Sequence, residues 1–328
     1  MITIALDAMS GDNGLNVTVG ATLKALKLHP DIKIIMVGIE DKIKEAVGEI
    51  PDRLQIHHAS QIVEMNESPT SAMRNKKDSS MRVSLNLVKE GKADAVVSAG
   101  NTGALMATSR YVLKMLSNID RPVLCTALPG EKGPVWMLDL GANIDADAEQ
   151  LLQFGLMGAA LVKVLLQRQP RVGLLNVGSE EIKGNDKVKK ASELLKVSKL
   201  NYLGYIEGDE IFKSKVDLVV CDGFVGNVAL KSIEGLAKQV SRYIKIEISK
   251  NWLRKMMAIL VMPILKSLKT RLDTRTYNGA SLLGLGGVVI KSHGGTDETG
   301  MLAALTVAYE EVKNDLLEQI ELEIANAK

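Results

Sequence analysis

Aromatic side chains make up only 3% of the 328 residues, so the chain has few platforms on which nucleotide bases could stack. Charge of one sign is missing too: 41 Lys+Arg against 39 Asp+Glu leaves +2, no overall field for a phosphodiester backbone, and no nucleic-acid partner is expected. Two cysteines are present, Cys125 and Cys221, each within an apolar strand-like run where filling a core is the ordinary role. No His or Cys stands at metal-ligand spacing. Asp7, Asp139, Asp145 and Asp222 lie at predicted strand ends, where an Asp more often caps a helix, so no metal is predicted. GxxxxGK[ST], HExxH and GxSxG do not occur, and GLGGVV at 284–289 lacks the third glycine of a dinucleotide fingerprint. Neither a nucleotide cofactor nor a nucleophile triad is expected. With no linker, no internal repeat and no basic leader before Asp7, the chain reads as one cytoplasmic unit over 1–328.

What is there alternates. Short Val/Ile/Leu runs at 3–8, 33–39, 54–58, 93–98, 123–128, 135–140, 171–177 and 216–221 read as strands. Helical spacing falls at 14–28, 41–48, 79–91, 102–116, 147–167 and 185–195, and again from 228 to about 250 and from 297 to 327. The alternation predicts an α/β, Rossmann-like fold, a largely parallel sheet with helices on both faces and active-site groups at strand carboxyl ends.

Five of those strands run into small polar turns: DAMSGDNG after Asp7, SAGNTGAL from Ser98, DLGANID from Asp139, NVGSEEIKG from Asn176 and CDGFVGNVALK from Cys221. Taken as one edge of one sheet, they suggest a site. At SAGNTGAL a helix start near Thr102 would offer free N–H groups, and Ser98, Asn101 and Thr102 could surround a phosphate that Gly103 lets approach. Gly226 and Asn227 offer the same at a helix starting at Val228. Lys183 is a mobile cation between glycine turns, and His293 is the one histidine in a glycine-rich setting.

DAMSGD, ESPTSAMRNKKDSSM (67–81), SAGNTGAL, DLGAN, NVGSEEIKG, DGFVGNVALKSIEG (222–235), GASLLGLGG (279–287) and the HGG before the last helix together resemble the PlsX-type phosphate acyltransferases along nearly the whole chain. The resemblance implies a homodimer whose fold is like that of isopropylmalate dehydrogenases and phosphotransacetylases. It implies transfer of a long-chain acyl group from acyl carrier protein to inorganic phosphate, without cofactor. A downstream glycerol-phosphate acyltransferase would use the acyl phosphate. Ser10, Gly14, Asn278, Ser281 and Gly295 depart from the family pattern. Phosphate is itself a nucleophile, so the protein has to supply position and charge. On this reading Lys183 neutralises phosphate or the oxyanion and Asn227 donates to the tetrahedral intermediate. Ser98, Asn101 and Thr102 hold phosphate, while Asp139, Asn143 and Asp222 fix the loops. Rival readings are a phosphotransacetylase acting on acyl-CoA, a dehydrogenase, and a non-catalytic membrane-recruited scaffold.

One stretch sits oddly in a soluble chain, with contact to a membrane, contact to a protein surface and an ordinary core helix as its readings. Residues 241–275 carry nine Lys/Arg against Glu247 and Asp273, a local +7, around an apolar run from Met256 to Leu265 that is too short to cross a bilayer. Arg254, Lys255, Met256, Met257, Leu260, Val261, Leu265, Lys266 and Lys269 are the expected contacts with an anionic membrane, a subunit or the acidic carrier protein, and Pro263 is the expected bend of a protruding helical hairpin. Lys187, Lys189 and Lys190 form a second, smaller basic cluster.

Overall fold

Every strand expected from an apolar run is present in the computed structural model, which describes residues 1–271 and 274–326. The order is β1 (Ile2–Asp7), α1 (Leu15–Leu28), β2 (Ile32–Gly38), α2 (Glu40–Val47), β3 (Leu54–His58), α3 (Pro69–Asn75), α4 (Ser80–Lys89), β4 (Ala95–Ser98) and α5 (Thr102–Leu113). Then follow β5 (Val123–Gly130), β6 (Gly133–Leu138), α6 (Ala148–Leu166), β7 (Arg171–Leu175), α7 (Asp186–Val197), β8 (Asn201–Ile206) and β9 (Leu218–Val220). The chain closes with α8 (Gly223–Ser249), α9 (Trp252–Arg271), β10 (Ala280–Leu283), β11 (Val288–Lys291), α10 (Glu298–Lys313) and α11 (Leu316–Asn326).

All strands join one sheet in the order β3-β2-β1-β4-β11-β10-β5-β6-β9-β7-β8. It is largely parallel but consists of two opposed blocks. β3, β2, β1, β4 and β11 run one way, and β6, β9, β7 and β8 run the other, with antiparallel β10 and β5 between them. The reversal has a local cause: β5 and β6 are joined only by Glu131 and Lys132, and so short a link permits antiparallel pairing alone. The five polar turns therefore do not share one edge of one parallel sheet. Register brings them together differently. Ser98 pairs with Lys291, Lys291 with Ala280, Ser281 with Cys125 and Thr126 with Met137, so the carboxyl ends of the two blocks reach the same height and converge on a common waist.

Apolar packing fixes this frame. α1 and α10 cover one face of the first block through Val17, Ala21, Met301 and Leu305, and α4 and α5 cover the other through Met81, Leu85, Ala104 and Leu105. α6 is long and apolar enough to cross a bilayer, but Phe154, Met157, Leu161 and their neighbours are buried against β6, β9 and α11, as in a core helix.

Three boundaries differ from expectation. α8 begins at Gly223 rather than Val228, because the Asp222 side chain accepts the Val225 N–H at 2.8 Å and caps the helix. α9 continues through Pro263, and the hairpin bends at Lys250 and Asn251 instead. The last helical stretch is broken at Asn314–Asp315, where Asp315 has φ +52°.

Candidate active site

Three loops leave neighbouring strands in step: Leu138 of β6 stands opposite Val220 of β9, and Val220 opposite Leu174 of β7. With strands about 4.8 Å apart, the turns bearing Asp139, Asn227 and Lys183 become neighbours.

Asp139 organises the first loop. It is fully buried, and its Oδ1 accepts N–H bonds from Leu124, Gly141 and Ala142 at 3.1, 3.2 and 3.0 Å. Its Oδ2 takes the Asn143 backbone N–H at 2.6 Å and the Asn143 Nδ2 at 2.9 Å. Burial raises its pKa while these bonds lower it. Asn143 Nδ2 also reaches Pro122 O at 2.7 Å, so both residues shape the loop.

The first turn of α8 rests directly on that loop. A Cβ on Gly226 would lie 1.8 Å from the Asp139 carbonyl oxygen, and one on Gly223 would lie 2.5 Å from that of Asn143. Glycine alone permits this approach. Asn227 is thereby set against Gly141, whose own Cβ position lies 3.4 Å from the Asn227 Cβ. Its carboxamide is exposed and has no hydrogen-bond partner among the described residues, so it is free to donate.

Lys183 is exposed in the next loop, where its carbonyl accepts from Asn176 Nδ2 at 3.2 Å and its N–H donates to Glu180 O at 3.0 Å. Its ammonium group has no ion-pair partner among the described residues. Nearby cations differ: Lys187 pairs with Asp145 and Lys190 with Glu149, which neutralises most of the second basic cluster.

The other block contributes a buried polar centre at the ends of β1, β4 and β11. Asp7 is 1% exposed; its Oδ2 accepts the Ser98 hydroxyl at 2.7 Å, and Oδ1 has no hydrogen bond among the described residues. Burial raises the Asp7 pKa, and nearby Ser80, Ser98 and Ser10 hydroxyls oppose that. Lys291 is 8% exposed, with its Nζ donating to the carbonyls of Ser292 and Ala99. Its burial brings its pKa down to about 8, Asp7 and Asp12 pull it up, and Lys231 on α8, one helical turn beyond Asn227, pushes it down. Ser10, Ser80 and Lys291 were not among the candidates, although a lysine closing the run VVIK before SHGG is a strand-end cation that sequence could have flagged.

The expected phosphate cradle is tighter than anticipated. Ser98 is fully buried and engaged with Asp7, while its Oγ also accepts the Gly100 N–H at 3.1 Å. Asn101 caps α5 by accepting the Ala104 N–H at 3.0 Å, and its Nδ2 holds the carbonyls of Met65 and Glu67 at 2.7 and 3.0 Å. Pro69 of α3 stands 2.9 Å from the Cβ position of Gly103 and covers the helix start. Thr102 remains exposed, and its hydroxyl has no hydrogen bond among the described residues. His293 is exposed, its Nδ1 accepts the Gly295 N–H at 3.0 Å, and its own N–H donates to Asn278 Oδ1 at 2.9 Å.

On the hairpin, Arg254, Lys255, Met256, Met257 and Val261 are exposed, Met257 by 59%. The side chains of Leu260, Leu265, Lys266 and Lys269 lie outside the described residues.

Residues 2–319 match the family described as "Fatty acid synthesis protein". A phosphate acyltransferase of Legionella pneumophila (strain Paris) is 53% identical over 325 residues, covering 97% of this chain and 95% of that protein. One of Methylococcus capsulatus is 54% identical over 318 residues, covering 95% and 94%. Among solved structures, a phosphotransacetylase from Streptococcus pyogenes overlays with a TM-score of 0.64 at 16% identity, covering 95% of this chain and 94% of that one. A branched-chain phosphotransacylase from Enterococcus faecalis V583 overlays at 0.62 and 14%, covering 95% and 99%. These two likenesses speak for the fold. The chain belongs to the fatty acid synthesis protein family and is an acyltransferase of the phosphate acyltransferase type.

Proposed function

We propose that the enzyme transfers a long-chain acyl group from acyl carrier protein to inorganic phosphate. A phosphate oxygen attacks the thioester carbonyl carbon, the C–S bond breaks, and the leaving thiolate takes up the proton that phosphate gives up. What supports this reading is that three loops leave β6, β9 and β7 in register: the first is built by Asp139, the second carries Asn227, whose carboxamide has no partner among the described residues, and the third carries Lys183, whose ammonium has none either. Lys183 offsets the charge of phosphate as it meets the developing oxyanion, and Asn227 donates to that oxyanion. Thr102 supplies a hydroxyl to phosphate from across the waist. No covalent acyl-enzyme is needed, because phosphate is the nucleophile.

The product is amphipathic and serves phospholipid synthesis through a glycerol-phosphate acyltransferase. The hairpin of α8 and α9, with its exposed apolar side chains among cations, suits contact with an anionic membrane or the second subunit of a homodimer. Replacement of Lys183 or Asn227 by Ala, with acyl phosphate trapped as hydroxamate, tests the assignment. Each change is expected to lower kcat on the order of 100-fold; unchanged turnover in both variants would refute these two roles.

A further inference from the structure

On the hairpin and on the face made by α3, α4 and α5, several cations stand without an ion-pair partner among the described residues, and the two surfaces differ in kind. On the hairpin, Lys238, Arg242 and Lys255 lie among exposed Leu236, Val240, Met256 and Ile259, a mixture suited to lipid or a subunit. The face made by α3, α4 and α5 carries cations with a single large apolar group among them, Tyr111, 53% exposed. The Arg82 guanidinium lies 4.7 Å and the Lys114 ammonium 5.0 Å from the centre of its ring. Arg74 on α3, Lys77 in the turn after it and Arg110 on α5 are exposed and have no ion pair among the described residues.

The acidic residues of this segment leave those cations unanswered. Asp78 is exposed but accepts the N–H and hydroxyl of Ser60 at 2.9 and 2.5 Å, Glu67 accepts the Ser71 hydroxyl at 3.1 Å, exposed Glu90 pairs with Lys92, and Glu64 is exposed. Some surface lysines elsewhere are paired, as in Lys44–Glu40, Lys190–Glu149 and Lys196–Glu181. The face also borders the site: α3 stands on Gly103, and Asn101 holds the carbonyls of residues 65 and 67.

We propose that the α3–α4–α5 face, centred on Arg82, Tyr111 and Lys114, is where the acidic carrier protein docks and from which its thioester arm enters beside Thr102. This rests on the donor reading above. Charge complementarity selects the occupant: a soluble acidic protein needs cations and hydrogen-bond donors rather than an apolar stripe, and a phenol flanked by two cations offers both. The hairpin is then left for lipid or the second subunit.

The test uses the double variant Arg82→Glu/Lys114→Glu and the variant Lys77→Glu, with acyl-carrier protein and acyl-pantetheine as alternative donors to phosphate. At low salt the double variant is expected to raise KM for acyl-carrier protein about tenfold or more, with a smaller rise for Lys77→Glu. kcat/KM for acyl-pantetheine should stay at the wild-type value, which also reports a correctly folded site. The difference should shrink toward 1 M salt, where charges are screened within about 3 Å. An unchanged KM for the carrier protein in both variants overturns the docking face, as does an equal loss with both donors. A wild-type enzyme that cleaves acyl-CoA but leaves acyl-carrier protein intact would instead fail the donor reading.

Discussion

Gly226→Ala places a methyl group where α8 meets the Asp139 loop. The new Cβ would stand 1.8 Å from the Asp139 carbonyl oxygen, and real Cβ contacts essentially never fall under 3.0 Å, so the two backbones must separate by 3.0 minus 1.8, or 1.2 Å. No flexible side chain can absorb this, since the obstacle is backbone. Overpacking of that sort costs about 1–3 kcal/mol, lowering Tm by roughly 2–5 °C in a chain of this size. The larger effect falls on catalysis. Asn227 follows directly in the chain, and a displacement near 1 Å of a positioning group costs about 100-fold in rate. Hydroxamate trapping of acyl phosphate reads kcat, and calorimetry reads Tm. Gly235→Ala is the control on the same helix: nothing lies within 4 Å of its Cβ position, so it should gain about 0.5–1 kcal/mol and leave the rate unchanged. Wild-type kcat in Gly226→Ala would refute the claim that α8 is held in place by its contact with the Asp139 loop.

Glu311 is fully buried beside the Ser281 hydroxyl, and burial pushes its pKa up to about 8 from 4.5. The folded state therefore holds this proton more tightly than the unfolded chain, and its contribution falls as pH rises from about 4.5 to about 8. Glu311→Gln, which stays neutral, should raise Tm at pH 8 and change it little at pH 4.5; equal shifts at both would show that the carboxyl does not titrate there. Ile259 on α9 is 68% exposed, and Ile259→Glu should weaken co-sedimentation with anionic vesicles while sparing activity in solution. Retained vesicle binding together with a fall in the mass read by sedimentation would assign the hairpin to a contact between copies of the chain.

Much of this was legible because local rules agree with the fold. Strands such as 33–39 and 123–128 are apolar and β-branched, and Asp147 with Gln150 forms the capping box that starts α6. β8 was missed because Gly204, at φ +100°, interrupts its pattern, and β10 and β11 because four-residue strands in a glycine-rich stretch look like loop. α3 escaped as a seven-residue helix, although Ser68 before Pro69 is an N-cap signature. Strand direction is set by long-range pairing, so the opposition of the two blocks lay beyond local pattern except at PGEKGP, where the tight link implies a hairpin. At the site, sequence singled out Ser98 and Asn101 as polar groups in a glycine turn. It could not tell that Asp7 and the carbonyls of residues 65 and 67 already engage them, since those partners are remote along the chain.

The most direct measurement is the initial rate of acyl phosphate formation by the wild-type enzyme at saturating phosphate, with long-chain acyl-carrier protein and acyl-CoA compared as donors. Phosphate-dependent acyl phosphate and free carrier-protein thiol should appear in equal amounts, with kcat/KM for the carrier-protein thioester well above that for acyl-CoA. Absence of acyl phosphate from either donor, or a preference for acyl-CoA, would contradict direct attack of phosphate on the carrier-protein thioester.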